Sequence, residues 1–247
     1  MSTKHHTVAL ITGAARRIGA CIADVLHQNG YNVIVHYRYS SDEAHALIEK
    51  LNRQRANSAV AISADLDNQN EYEKLIKNSV DVWKRLDVLI NNASTFSPTP
   101  IGKIKIVDWD KLMNSNLKAP FFLSQAAAPF LAENKGNIIN IVDIHSITPM
   151  KNYSVYSMAK AGLLMLTKSL ALELAPAIRV NAVAPGSVIW PENENTYSEA
   201  QKQAILTATL LKKQVNPSDI AKTALFLAQQ TSITGQMIHV DAGRLIY

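Results

Sequence analysis

Apolar residues in this chain come in short unbroken runs, separated by longer stretches in which they recur every third or fourth position. The first run, residues 7–12 (TVALIT), is closed by Gly13 and fits a strand buried on both faces. Over residues 17–29, Ile18, Cys21, Ile22, Val25 and Leu26 fall on one helical stripe, and Gly30 is placed to end the helix. The unit then repeats. The pattern predicts strand 31–37, an N-cap at Ser41, helix 42–55, strand 59–64, helix 70–83 and a short strand 88–90. It goes on to predict one long helix over 108–132, strand 137–142, helix 154–174, strand 179–183 and a closing strand 236–241. Seven strands separated by helical segments imply an α/β fold, a Rossmann-like doubly wound seven-stranded parallel sheet, because each right-handed crossover must pack back on the sheet. Residues 94–106 and 185–197 read as loops, and each follows a strand C-terminus, where doubly wound sheets bind ligands.

Composition narrows the class. With 47% hydrophobic and 18% charged residues over 247 positions, the chain can bury one large core, and no linker or repeat marks a second domain, so residues 1–247 read as a single unit. The formal charge of +5 is spread along the chain without a basic run interleaved with aromatics, which disfavours nucleic acid as a partner. The lone cysteine, Cys21, excludes an intrachain disulfide, and no metal site is expected. No apolar stretch approaches the roughly 18 residues that span a bilayer, and the N-terminus lacks a signal-peptide core, so no membrane partner is expected and the cytoplasm is the expected address. Helix 154–174 is apolar on almost every side. One face can cover the sheet, and the other predicts self-association, most simply a homotetramer.

Candidate chemistry centres on Tyr156-Ser157-Met158-Ala159-Lys160. On a helix, the spacing of four puts phenol and ammonium on one face, where the cation would draw the tyrosine pKa down from roughly 10 and make Tyr156 a proton donor. Two solvated side chains would be the reading if nothing else in the chain supported the pair. At the first strand-to-helix junction lies TGAARRIG, in which Gly13, Arg17, Ile18 and Gly19 can frame a pyrophosphate at a helix N-terminus. An ordinary turn with exposed arginines is the other reading of that segment alone. The second strand ends VHYRYSS, with His36, Tyr37, Arg38 and Ser40 where NAD-binding folds commonly place an acid. Donors there favour a 2′-phosphate, hence NADPH. Asp65 ends the third strand, placed either to accept from an adenine amino group or to cap the next helix.

The motifs TG(x)4IG, Asp65-Leu66, Asn91-Asn92-Ala93, Asn116, YxxxK and Pro185-Gly186-Ser187, in this order, resemble the short-chain dehydrogenase/reductase family over essentially the whole chain. The resemblance implies that Asn91 and Asn92 support the cofactor segment, with Ala93 beside it. It implies that Tyr156 donates the proton, that Lys160 holds the nicotinamide ribose, and that Asn116 completes a water-linked proton relay. Most members carry a serine thirteen residues before the tyrosine, where it polarises a carbonyl; here that residue is Asp143. An ionised carboxylate cannot donate a hydrogen bond to a carbonyl oxygen, whereas it can accept from the ring N–H and amino groups of a nitrogen heterocycle. TGAARRIG, HYRYS, NNASTFSPTP and VDIHS are similar to the pteridine reductases of that family. This implies Arg17, Ser94, Phe96, Asp143 and Tyr156 as pterin-binding residues, with Arg17 also on the cofactor phosphates and Phe96 stacked on the pterin. The expected activity is NADPH-dependent reduction of a pterin or dihydropterin, with Asp143, Tyr156, Lys160 and Asn116 as the catalytic set. The alternatives are a carbonyl reductase such as a 3-oxoacyl-thioester reductase, and a catalytically silent nucleotide-binding regulatory protein.

Overall fold

The computed structural model describes residues 6–190 and 197–246. Seven strands form one all-parallel sheet: β1 (Val8–Ile11), β2 (Asn32–Tyr37), β3 (Ala59–Ser63), β4 (Val88–Asn91), β5 (Asn137–Ile141), β6 (Arg179–Pro185) and β7 (Met237–Val240). Their spatial order is β3-β2-β1-β4-β5-β6-β7, so the winding reverses between β1 and β4 and opens a crevice beyond the C-terminal ends of those two strands. The expected fold class is what the chain adopts. Alternate residues of each strand feed two cores, as in β1, where Val8 and Leu10 join one cluster and Ala9 and Ile11 the other. Covering both faces with helices explains why the strands read as continuous apolar runs.

The helices among the described residues are α1 (Arg17–Gln28), α2 (Ser41–Gln54), α3 (Glu71–Trp83), α4 (Ile106–Met113), α5 (Ala119–Glu133), α6 (Ser154–Glu173), α7 (Glu199–Thr207) and α8 (Pro217–Gln229). Two departures from the pattern bear on the site. Residues 108–132 are not one helix, because a five-residue π-helical turn, Asn114–Lys118, separates α4 from α5. Such turns are frequent at functional sites, and this one carries Asn116. The N-cap of α2 is Ser40, and Ser41 is its first helical residue. Helices α7 and α8 went unread, although both carry start signals: a Ser198/Gln201 capping box for α7, and an Asn216 cap followed by proline for α8. No helix among the described residues is long and apolar enough to cross a membrane.

Helix α6 buries Val155, Tyr156, Ala159, Lys160, Leu163 and Leu170 against the sheet side, while Met158, Met165 and Leu172 remain exposed. Trp109 on α4 and Phe121 and Phe122 on α5 are likewise partly exposed.

Candidate active site

Three segments meet at the β1/β4 crevice. Gly13 has φ +61°, and a Cβ there would lie 2.9 Å from the Ala93 Cα. At Gly19 a Cβ would come within 2.4 Å of the Gly13 carbonyl oxygen, so glycine is required for α1 to pack this closely on the turn. Asn92 clasps the turn, donating from Nδ2 to the carbonyls of Thr12 (2.8 Å) and Gly13 (3.1 Å). Thr12 Oγ1 accepts from the backbone N–H groups of Asn92 and Ala93, a bracing role that the sequence reading missed although the threonine stands in the TG motif. Asn91 faces the other way, donating to Asn140 Oδ1 and Ser124 Oγ inside the core.

The turn fits a dinucleotide pyrophosphate. The first turn of α1, Arg17, Ile18 and Gly19, presents N–H groups that a helix cannot satisfy from within, no acid lies in that turn, and Arg16 and Arg17 add positive charge. Arg17 also donates to the carbonyls of Ile189 and Trp190 (3.3 Å each), tying the segment after Pro185, Gly186 and Ser187 to the turn. At Gly186 a Cβ would lie 2.7 Å from the Asp241 Cα, which sets another close backbone approach.

The end of β2 is built differently from the expectation for one residue. His36 is buried, its Nδ1 accepting from the Gly13 N–H (3.0 Å) and its Nε2 facing the Ala64 carbonyl (3.1 Å). Burial lowers its pKa to about 4, so it is a neutral strut for the phosphate turn and not a donor to a 2′-phosphate. Arg38, the other basic residue at this strand end, meets Asp67 (2.7 Å) and Asp65 (2.8 Å) through its terminal nitrogens, and its buried Nε has no hydrogen-bond partner. Asp65 accepts from Arg38 and from the Asp67 N–H, shaping the turn after β3, and Leu66 is buried in the core. Tyr37 is half-buried, with its ring edge-on to His45.

The His36 strut makes a stability prediction. The ordinary histidine pKa of 6.5 applies in the unfolded chain, so between pH 6.5 and 4 the unfolded chain binds the proton that the folded one refuses. Stability should therefore fall by about 3 kcal/mol from this group as pH drops across that window. Urea unfolding of wild type and His36→Gln at stepped pH checks it. The variant should start less stable at pH 7 but decline less steeply, and parallel curves would reject the assignment.

The residues expected to handle the proton, Asp143, Tyr156 and Lys160, come together after β5 and on α6. Tyr156 is buried, and its hydroxyl donates to Asp143 Oδ2 at 2.8 Å, while Asp143 Oδ1 accepts from the His145 N–H at 2.8 Å. The carboxylate is thus pinned by its own 310 turn (Ile144–Ser146) and aimed at the phenol. Lys160, also buried, donates from Nζ to the Ile141 carbonyl (2.9 Å) and sits 5.7 Å from the Tyr156 ring centroid. Burial pushes its ammonium down to about 8, with Asp143 pulling the other way.

The expected depression of the Tyr156 pKa is not what the site produces. Burial first, then the charge and hydrogen bond of Asp143, push the phenol well above its usual range, and a hydrogen bond with Ser94 opposes them. Tyr156 is held firmly protonated, as a donor needs before reaction. Asn116, fully buried, places Oδ1 2.6 Å from Ser94 Oγ.

Phe96 stacks on Tyr153 (centroids 4.5 Å apart, planes at 12°) and stands edge-on to Tyr156 (4.9 Å, 85°). One of its faces is therefore taken by Tyr153, a residue the sequence reading passed over although it lies one helical turn before Tyr156. Tyr197, at the end of the 185–197 loop, stands edge-on to Trp190 (ring centroids 6.1 Å apart). Residues 191–196 of that loop lie outside the described residues. No cluster of His, Cys, Asp or Glu able to hold a metal exists among the described residues.

A doubly wound parallel sheet, a dinucleotide cradle at its switch point and a buried Tyr156–Lys160 pair together define a nicotinamide-type oxidoreductase site, and the chain belongs to the short-chain dehydrogenase/reductase family. The family model that matches, described as enoyl-(acyl carrier protein) reductase, covers residues 13–244. Among curated proteins, the chain is 36% identical over 245 residues to a 3-oxoacyl-[acyl-carrier-protein] reductase of Synechocystis sp., covering 97% of both chains. It is 38% identical over 239 residues to the 3-oxoacyl-[acyl-carrier-protein] reductase of Staphylococcus aureus (95% of this chain, 96% of the relative). It is 35% identical over an alignment of 277 positions, gaps included, to pteridine reductase 1 of Leishmania tarentolae (96% of this chain, 95% of the relative).

Proposed function

We propose that this oxidoreductase is an NADPH-dependent pteridine reductase, converting a pterin or dihydropterin to its tetrahydro form, and that it works as a cytoplasmic homotetramer. The observation that carries the reading is Asp143, a carboxylate pinned by the His145 N–H and accepting from Tyr156, at the position where a carbonyl substrate would need a donor. A flat heterocycle supplies donors of its own, and the aromatic group of Phe96 and Tyr153 beside the phenol suits a flat ring. NADPH would be held by the first turn of α1, by Arg17, by Arg38 and Ser40 at the 2′-phosphate, by Asn92 and Ala93, by Lys160 at the ribose, and by the segment from Pro185 to Ser187. When bound it supplies the hydride for C6 or C7 of the ring. The chain's own residues do the rest. Asp143 accepts from ring N–H and amino groups, Tyr156 gives its proton to N8 when C7 is reduced, and Lys160 holds a positive charge beside the phenolate that forms. For the N5=C6 bond, protonation comes from solvent. The exposed Met158, Met165 and Leu172 of α6, together with Trp109, Phe121 and Phe122, support the tetramer.

A second reading, a 3-oxoacyl-thioester reductase, is favoured by the 36% and 38% identities to enzymes of that name. The two separate in one assay. NADPH oxidation is followed with dihydrobiopterin, dihydromonapterin, dihydrofolate, folate and an acetoacetyl thioester. Turnover of the pterins is expected, and turnover of the thioester alone would overturn the proposal. With a good substrate, NADPH should be preferred to NADH by about tenfold or more in kcat/KM, since charge-assisted bonds to the 2′-phosphate contribute about 1.5 to 3 kcal/mol each.

A further inference from the structure

Arg38, just after β2, is gripped on three sides. Its Nη1 donates to Asp67 Oδ2 at 2.7 Å, its Nη2 donates to Asp65 Oδ2 at 2.8 Å, and the Tyr39 ring covers the guanidinium with its centroid 4.7 Å from Cζ. The Nε–H is buried and without a partner, so a ligand arriving from solvent reaches this cation through the two terminal nitrogens. Both of those already serve a carboxylate. One positive charge between two negative ones leaves the cluster net negative, which opposes the arrival of a phosphate.

The two acids are not equivalent. Asp65 is braced within the turn after β3, since its Oδ1 accepts from the Asp67 N–H at 3.0 Å while its Oδ2 holds Arg38. Asp67 stands two residues further along, at the exposed end of that turn, with Oδ2 on Nη1. One braced carboxylate is enough to orient the fork. The second places a negative charge on the terminal nitrogen that Asp65 leaves open. A phosphate seeking a two-point contact with both terminal nitrogens therefore meets Asp67 as a rival for Nη1.

We infer that Asp67 is an internal competitor for Arg38 and limits how strongly the chain prefers a cofactor carrying a 2′-phosphate. This rests on Arg38 being the group that meets that phosphate, and it is independent of which substrate is reduced. Binding of such a cofactor exchanges one ion pair for another: Nη1 leaves the Asp67 carboxylate for a phosphate oxygen, Asp65 keeps Nη2, and Asp67 turns to water. No covalent bond or proton moves. The three side chains are 32% to 41% exposed, so the Asp67 pair is screened by solvent and weighs a few-fold in affinity, not several powers of ten. A 2′-hydroxyl carries no charge for Asp67 to repel, so the competition falls on NADPH and spares NADH.

The test is direct binding, without turnover. Dissociation constants for NADPH, NADH, adenosine 2′,5′-bisphosphate and adenosine 5′-monophosphate are measured by isothermal titration on wild type, Asp67→Asn, Arg38→Gln and the double variant. Asp67→Asn should bind the two 2′-phosphorylated ligands about three- to tenfold more tightly, with the other two within about twofold of wild type. Arg38→Gln should weaken the 2′-phosphorylated ligands. In that background the gain from Asp67→Asn should shrink to about twofold or less, because no guanidinium is left to compete for. Unchanged or weaker NADPH binding by Asp67→Asn, equal gains for NADPH and NADH, or a gain that persists in full without Arg38 would each overturn the inference. If the Asn variant does not fold, Asp67→Ser gives the same comparison. Loss of NADPH affinity in Arg38→Gln with no gain in Asp67→Asn overturns the competitor role alone. A wild type that binds all four ligands without regard to the 2′-phosphate, with Arg38→Gln changing nothing, overturns the NADPH reading along with it.

Discussion

Replacing Tyr156 by Phe should lower kcat by about 10²- to 10⁴-fold, the contribution typical of a positioned general acid, with little change in NADPH binding. The substitution preserves the ring that packs with Leu112 and Val155 and meets the edge of Phe96, so the fold should be undisturbed. What disappears is the hydroxyl that donates to Asp143. Single-turnover measurements with a dihydropterin and with an oxidised pterin sharpen the result. Reduction at C7 should suffer the full loss, and reduction at C6, where the proton comes from solvent, should suffer less. Equal, small losses on both would remove Tyr156 from the donor role. The buried Lys160 gives the same chemistry a pH limit. Its charge is present below about 8 and lost as pH rises through that value, so kcat/KM should fall on the alkaline side, and Lys160→Arg should push that limb upward.

The sheet was legible because a strand covered on both faces is mostly apolar, as β1 (VALI) is throughout and β2 (NVIVHY) and β5 (NIINI) are apart from two polar residues each. The break between α4 and α5 was not, since Asn114 to Lys118 has no helix breaker and its π turn accompanies the tertiary bonds of Asn116 with Thr95 and Ser94. Among site residues, Tyr156 and Lys160 could be placed because a spacing of four sets them on one helix face, and Asp143 because the family resemblance puts a polar residue thirteen positions before the tyrosine. His36 could not. Its place in VHYRYSS marks it as near the cofactor, but nothing in sequence says that its ring points inward to the Gly13 N–H and the Ala64 carbonyl. The Tyr156 pKa was misread for a related reason. The YxxxK spacing announces the cation, whereas the burial and the charge and hydrogen bond of Asp143 that push the phenol up are consequences of packing. Phe96 stands beside Tyr156, yet its stacking partner Tyr153 comes from a different segment, which only the fold brings across.

Substituting Asp143 by Ser separates the two readings of the substrate, because the change restores a hydroxyl donor typical of carbonyl-reducing relatives while deleting the carboxylate. In the structure that carboxylate is the acceptor for the Tyr156 hydroxyl and is fixed by the His145 N–H, so it is preorganised to accept from a substrate as well. Hydrogen bonds to a charged acceptor are worth about 1.5 to 3 kcal/mol each, and a pterin offering a ring N–H and an amino group would lose two of them, so kcat/KM for a pterin should fall by about a hundredfold or more. NADPH affinity should barely change, since the phosphate turn and Arg38 lie on other segments. The substitution also relieves the charge that pushes the phenol up, which should make Tyr156 easier to ionise. The acetoacetyl thioester should respond in the opposite sense and gain turnover, because the introduced hydroxyl can polarise its carbonyl. Steady-state kinetics of the Asp143→Ser enzyme on both substrates decide the point. Wild-type pterin turnover in that variant would take away the main physical ground for the pteridine assignment, and loss of pterin turnover with a gain on the thioester would establish the carboxylate as the residue that selects the heterocycle.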